Sequence, residues 1–245
     1  MNFSPKMKYE ERTYRSLISK KNLKSYNVTI GESDLFISSD INLSEEAKKA
    51  LIFHRSHLEN YIKNNPQFKK SMLPLPPDNL APPIVRDMLE KSVLCGVGPM
   101  AGVAGAIAQF VGQDILHAAE TLIIENGGDI FVKAKNDLTV SVFAGQSPLS
   151  YKVNFNVKAE KTPLGVCTSS ATVGPSVSFG KTDAVCVISK SATLADAAAS
   201  AIGNKVKSKN DIKKALDFGL KIKGVEGIII IIGNDMGAIG DVTLI

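Results

Sequence analysis

Thr121-Leu-Ile-Ile-Glu-Asn-Gly-Gly-Asp-Ile-Phe-Val-Lys-Ala134 decides the fold class. Two apolar runs flank Asn126-Gly127-Gly128-Asp129, and Asn and Gly tolerate the positive φ that a tight hairpin needs. The stretch predicts strands over 121–125 and 129–134. Outward from it, strand-like runs follow without an intervening helix at 138–144, 152–158 and 183–189. Helical patterns return only at 194–206 and 211–221. The chain then closes with a Gly227–Ile232 strand, a turn over 234–237 and a strand over 241–244. Five consecutive isoleucines between glycines read as a strand buried on both faces. Hairpins in series followed by helices predict an α+β fold with a largely antiparallel sheet.

Upstream, strands are expected over 9–18, 25–30 and 34–39, the last two joined by a Gly31-Glu32-Ser33 turn. A helix is expected from Ser44 to about Lys63, with Leu51, His54, Leu58 and Ile62 on one stripe. A proline-rich connector, Leu73–Pro77 and Ala81–Pro83, precedes a short helix through Glu90. Residues 1–75 read as strands plus a helix packed as one unit on a site-bearing region over 76–245.

The composition is that of an ordinary globular protein, with 44% apolar and 22% charged residues. Cys95, Cys167 and Cys186 show no paired spacing, which argues against a disulfide framework and for a reducing, cytoplasmic compartment. No secretory h-region or membrane-length apolar run is present in the sequence. The net charge of +5 concentrates in 1–28 and 205–223, each with seven Lys/Arg against two acids. Solvated basic faces account for this better than nucleic-acid binding.

Gly96-Val-Gly-Pro-Met-Ala101 matches the dinucleotide pattern G-x-G-x-x-A, with Glu125 following at tolerable spacing. Pro99 removes a phosphate-facing N–H, and no further βαβ unit follows. Close packing of a small-residue helix is the preferred role.

Four stretches carry site-like chemistry. The first is the Gly127-Gly128-Asp129 corner, and the second is Ala144–Leu149, a turn expected to expose the Ser147 hydroxyl. The third, Pro163–Gly174, sets Cys167, Thr168, Ser169, Ser170 and Thr172 between glycines, a composition suited to phosphate or ribose oxygens. The fourth is a helix on which Asp196 and Ser200 stand i, i+4, as hard oxygen donors for Mg²⁺. Against that, Thr193-x-x-Asp196 also reads as a capping box.

Taken in order, the Gly-Gly-Asp hairpin, the Thr-Ser loop, the Ala184–Ile188 strand and the Ala195-Asp-x-x-Ala-Ser200 helix element resemble the ApbE-like superfamily, whose best-known members are flavin transferases. The closer resemblance is to a branch found in archaea and some bacteria. It covers about residues 90–245. The resemblance implies an FAD- or FMN-type nucleotide ligand, with Mg²⁺ held at Asp196 and Ser200 on a pyrophosphate. It further implies ligand contacts at Gly127, Gly128, Asp129, Ser147, Thr168, Ser169, Ser170 and Thr172, with Asp183 as a catalytic candidate. Apart from the resemblance, Cys167, a thiol among hydroxyls two residues after Gly165, reads either as a catalytic nucleophile or as a small structural cysteine, with the structural role preferred. The partner expected is a small nucleotide-type molecule, with no membrane, and a homo-oligomer is left open. The transferases' His and Asp-Pro segment is replaced here by Ser176–Asp183, so no general base is identified. Two alternatives stand beside transfer: a non-catalytic flavin- or nucleotide-binding module, and a sulfur-assimilation role near homocysteine formation that uses the Cys167 thiol.

Overall fold

The computed structural model describes residues 23–173 and 178–245. The strand expected over 9–18 and most of the N-terminal basic stretch lie outside the described residues. Eleven strands and six α-helices are described. In chain order they are β1 (Lys24–Ile30), β2 (Ser33–Ser39), α1 (Ser44–Asn64), α2 (Pro66–Lys70), α3 (Pro83–Cys95), α4 (Val103–Ile115), β3 (Leu122–Asn126), β4 (Asp129–Lys133), β5 (Leu138–Ser141) and β6 (Asn154–Val157). There follow β7 (Leu164–Ser169), β8 (Ala184–Ser189), α5 (Ala192–Gly203), α6 (Ile212–Gly219), β9 (Val225–Ile232), β10 (Asp235–Gly240) and β11 (Thr243–Leu244).

Eight strands form one sheet in the order β1-β2-β3-β4-β7-β8-β9-β10, and every neighbouring pair is antiparallel. The β1–β2 hairpin pairs with β3, so the N-terminal strands extend the sheet that carries the candidate site. A second sheet, β11-β6-β5, was not foreseen as separate. The expected 138–144 and 152–158 strands shorten to β5 and β6 because residues 142–153 form a looped connection with its own turns.

Alternation along each strand sends successive side chains to opposite faces. On one face Ile37, Leu122, Ile124, Phe131, Val187 and Ile230 pack against the helices. On the other, Ile123, Val132, Val166, Cys186 and Ile231 pack against Leu138, Phe155 and Val157 of the small sheet. The isoleucine run alternates between the two cores, Ile228 and Ile230 on one side, Ile229 and Ile231 on the other. All four are at most 1% exposed, and burial of each contributes roughly 1.5–3 kcal/mol. The turn expected over 234–237 is shorter: Gly233 and Asn234 alone join β9 to β10, with Gly233 at φ 58°.

The glycines at 96–105 are packing and capping devices. Gly96 ends α3 in the left-handed conformation at φ 70°. A Cβ on Gly98 would lie 1.9 Å from the Ser71 carbonyl oxygen, and one on Gly105 2.3 Å from that of Ala192. These contacts, in an antiparallel sheet without βαβ units, explain the G-x-G-x-x-A match without a dinucleotide. Gly165 on β7 is pressed equally hard, with a Cβ there 2.3 Å from Ala192 Cα. The start of α5 is therefore wedged between α4 and β7, and this wedge aims Asp196.

Candidate functional site

The C-terminal end of β7 is where the candidate residues gather, and strand alternation divides them between the two faces. Asp129 opens β4, two residues before Phe131 and on the same helix-facing side. The Gly127-Gly128 turn, at φ 68° and 102°, puts it opposite Asn126 in the ladder. Asn126 Nδ2 donates to the Ala104 carbonyl at 3.1 Å, fastening this corner to the start of α4. Asp129 is buried, and its Oδ1 accepts from the Thr168 amide at 3.3 Å. Burial pushes its carboxyl well above the usual carboxylate range, and the facing Asp196 adds to the rise.

Asp196 reaches the same place from α5. Its Oδ2 accepts from the Gly105 amide at 2.9 Å, and the Ala104 amide also favours the ionised carboxylate. Gly102, the residue before α4, supplies no side-chain cap. Asp196 therefore caps a neighbouring helix across space. It does not cap its own: Ser191 does that, accepting from the Leu194 amide, so the capping-box alternative falls. Burial pushes Asp196 up to about 7 despite the two amides. Ser200 stands one turn further along α5, part-buried.

Cys167 completes the helix-facing group. Its side chain is 0% exposed, and Sγ donates to the Ala192 carbonyl at 3.3 Å. Burial, then Asp129 and Asp196, push the thiol well above its ordinary value. It is protonated at neutral pH and sealed from solvent, so it has neither the charge nor the access of a nucleophile.

The remaining candidates form a second network beyond the end of β7. Thr172 Oγ1 donates to Asp183 Oδ1 at 3.2 Å, and Asp183 Oδ2 accepts from the Gly233 amide at 2.7 Å. Ser147 Oγ donates to the Gly233 carbonyl at 2.7 Å and accepts from the Leu149 amide at 3.1 Å. The Ser147 hydroxyl, expected to be exposed, is buried and engaged. Ser170 Oγ accepts from the amides of Thr172 and Val173, both at 3.0 Å. Thr168 faces the same way as Val166, and its hydroxyl lies against Cys186 on the small-sheet side. Ser169, at the last position of β7, alternates back towards the helices. Asp183 acts here as a fastener of two loops.

Glu125, the ribose-binding acid of the dinucleotide pattern, is 0% exposed, with Oε1 accepting from the Gly128 amide at 2.6 Å. Its position inside an apolar run, Leu-Ile-Ile-Glu-Asn, is the signal that marks it as a buried turn-fixing acid. The three histidines lie elsewhere. His54 Nε2 is 2.8 Å from Asp114 Oδ2 between α1 and α4, His57 packs on Phe53, and His117 lines a cavity of about 460 Å³ at the far end of α4.

The comparisons agree with this architecture. A family model described as AbpE bacteria matches residues 15–240. The chain belongs to this AbpE family. A UPF0280 protein of Methanocaldococcus jannaschii is 40% identical over 221 residues, covering 88% of the chain and 90% of that relative. The AbpE chain superposes on the apo flavinyl transferase ApbE of Pseudomonas stutzeri with a TM-score of 0.55 at 14% identity, covering 89% of this chain and 94% of that one. The ApbE protein of Thermotoga maritima gives a TM-score of 0.52 at 14% identity, covering 87% and 96%. The α+β fold is thus that of the ApbE flavin transferases. Among the described residues of this AbpE chain, no single helix is long and apolar enough to cross a membrane.

Asp129 and Asp196 are the acids that meet at this end of β7. No three His, Cys, Asp or Glu side chains converge as a protein-only cage among the described residues. Two facing carboxylates do converge, and the charges acting on Asp129 are those of other acids. Mg²⁺ characteristically takes one or two carboxylates and leaves its remaining positions to water and phosphate oxygens.

Proposed function

We propose that this protein binds a flavin-type nucleotide diphosphate at the C-terminal end of β7 through a Mg²⁺ ion held by Asp196 and Asp129, with Ser200 as a further oxygen donor. The observation that carries the reading is the pair of facing carboxylates, both with raised proton affinity, Asp196 against the amides at the start of α4 and Asp129 against the Thr168 amide of β7. Two acids forced together in a partly dry site repel, and a bound cation with its phosphate ligand relieves that repulsion. When bound, the ion neutralises phosphate charge for a displacement at phosphorus. The chain's own share is to hold the carboxylates in place through the Gly105 and Thr168 amides, and to shape the approach with Gly127 and Gly128.

A binding module without transfer is favoured over an enzyme by one observation: no histidine reaches the carboxylate pair. Sulfur chemistry at Cys167 loses support from its burial. FAD titrations with and without Mg²⁺ test the proposal. Wild-type protein retains FAD only with Mg²⁺, and Asp196→Ala loses at least roughly tenfold in affinity, the scale of one lost charge-assisted ligand. AMP release from bound FAD separates transfer from plain binding. Metal-independent FAD binding that is unchanged in Asp196→Ala sinks the reading.

A further inference from the structure

Helices α4 and α5 cap one another. The first-turn amides of a helix have no partner inside it, and in α4 those of Ala104 and Gly105 face Asp196 of α5, Gly105 at 2.9 Å. In return, α4 sends Gln109 to the first turn of α5. Gln109 Oε1 accepts from the Thr193 amide at 3.4 Å and from Ser191 Oγ at 3.0 Å. Ser191 Oγ itself accepts from the Leu194 amide at 3.2 Å. Gly105 and Gln109 stand four residues apart, on one face of α4, so the two exchanges lie side by side. Gln109 is buried.

The partners of Gln109 require an amide. A main-chain N–H can only donate, so Thr193 fixes the Gln109 oxygen towards α5 and turns its NH2 towards α3. There Nε2 donates to Asp87 Oδ2 at 3.4 Å, and Asp87 Oδ1 lies 3.4 Å from Lys91 Nζ. A carboxylate at this position would face the carboxylate of Asp87. An apolar side chain would leave the amide of Thr193, a residue 0% exposed, without its acceptor.

We propose that Gln109 is the positioning residue for the metal-binding carboxylate: by holding the first turn of α5 on α4, it sets where Asp196 stands relative to Gly105 and Asp129. This rests on the reading of Asp129 and Asp196 as the cation site. The packing leaves little slack between cap and carboxylate. A Cβ on Gly105 would lie 2.3 Å from the Ala192 oxygen and 2.8 Å from Asp196 Cβ, and Cys167 Sγ donates to that same Ala192 oxygen at 3.3 Å. A shift at Ser191–Thr193 is therefore passed directly to Asp196, one turn further along.

FAD is titrated with and without Mg²⁺ against wild type, Gln109→Met, Gln109→Glu, and Gln109→Glu combined with Asp87→Asn. Each titration is run at a temperature where the melting curve of that variant is still on its folded baseline. Both single variants are expected to lose about tenfold in Mg²⁺-dependent affinity, the lower end of the range for groups that orient metal ligands. In the combined variant the new carboxylate accepts from α5 with one oxygen and from the new amide on α3 with the other, and affinity is expected to return most of the way to wild type. This pair decides the matter should Gln109→Met fail to fold. A role confined to stability lowers the melting temperature and leaves the affinity of the folded protein unchanged. Wild-type affinity in both single variants therefore overturns the positioning role and leaves the carboxylate site standing, as does a combined variant no tighter than Gln109→Glu alone. Failure of wild-type protein to bind FAD in the presence of Mg²⁺ overturns both.

Discussion

The two groups of polar residues around the end of β7 are opposite in character. On the helix side, Asp129 and Asp196 are pressed together with raised proton affinities, answered by backbone amides and, at Asp129, by the Cys167 thiol. On the far side, Asp183 is satisfied by Gly233 and Thr172, and Ser147 by Gly233 and Leu149. The second group spends its hydrogen bonds on tying loops together. The first keeps charge it has not neutralised, which makes the folded state poorer unless a ligand completes it. Unrelieved charge is therefore the better guide to function here than the density of hydroxyls.

The largest effect expected comes from the packing that sustains the difference. In Gly165→Ala the new methyl carbon lies 2.3 Å from Ala192 Cα and 2.7 Å from its Cβ and N, so β7 and α5 must separate. A loss of about 3 kcal/mol in urea unfolding is expected, the upper part of the range for overpacking. Gly233→Ala on the far side meets nothing within 4 Å and sits at φ 58°. It costs only about 1–2 kcal/mol, the strain of a left-handed alanine. Equal losses in the two variants would show that the wedge is looser than the distances imply.

The next effect is one of sign. Asp196 in the folded protein titrates near 7, against about 3.9 in an unfolded chain. Between those values the folded state holds a proton that the unfolded state has released, so stability falls as pH rises from about 4 to 7 and levels above. The fall attributable to Asp196 is on the order of 2–4 kcal/mol; Asp129 adds in the same direction. Asp196→Asn keeps an acceptor for the Gly105 amide and removes the charge. Its melting temperature is expected to exceed that of wild type at pH 8 and to approach it at pH 5, while Mg²⁺-dependent FAD binding disappears. Gain of stability with loss of binding is the mark of a ligand site. A wild-type and variant difference that does not change with pH removes the premise that burial raises the proton affinity of Asp196.

Much of the architecture was legible because it rests on local rules. Asn126–Asp129 permits little besides a two-residue hairpin, and the isoleucine run tolerates burial on both faces only inside a sheet. The family resemblance was legible in short motifs, and the match over residues 15–240 is wider than the 90–245 those motifs covered. What could not be read was which face each side chain takes. Thr168 and Cys167 are neighbours in sequence, yet alternation sends them to different cores. The hydroxyl cluster that looked like one phosphate cradle is therefore split by the sheet. Ser147 was misjudged for a related reason: its partner is a carbonyl 86 residues away, which spacing does not reveal. The choice between a nucleophilic and a structural Cys167 turns on burial, and burial is a tertiary property.

The smallest effects belong to the satisfied network, and they separate fastening from chemistry. Asp183→Ala frees the Gly233 amide and the Thr172 hydroxyl, and a loss of about 1–2 kcal/mol is expected from two replaced hydrogen bonds. Thr172→Val removes one of these at an exposed position where water can substitute, and about 0.5 kcal/mol is expected. Both changes destabilise, in contrast to Asp196→Asn, because they remove partners from groups that had them. Both leave Mg²⁺-dependent FAD affinity within about twofold if Asp183 only ties loops, since neither touches the carboxylate pair. Retained affinity with abolished AMP release in Asp183→Ala would instead make Asp183 a catalytic residue, and the two faces of the sheet would then act on one ligand.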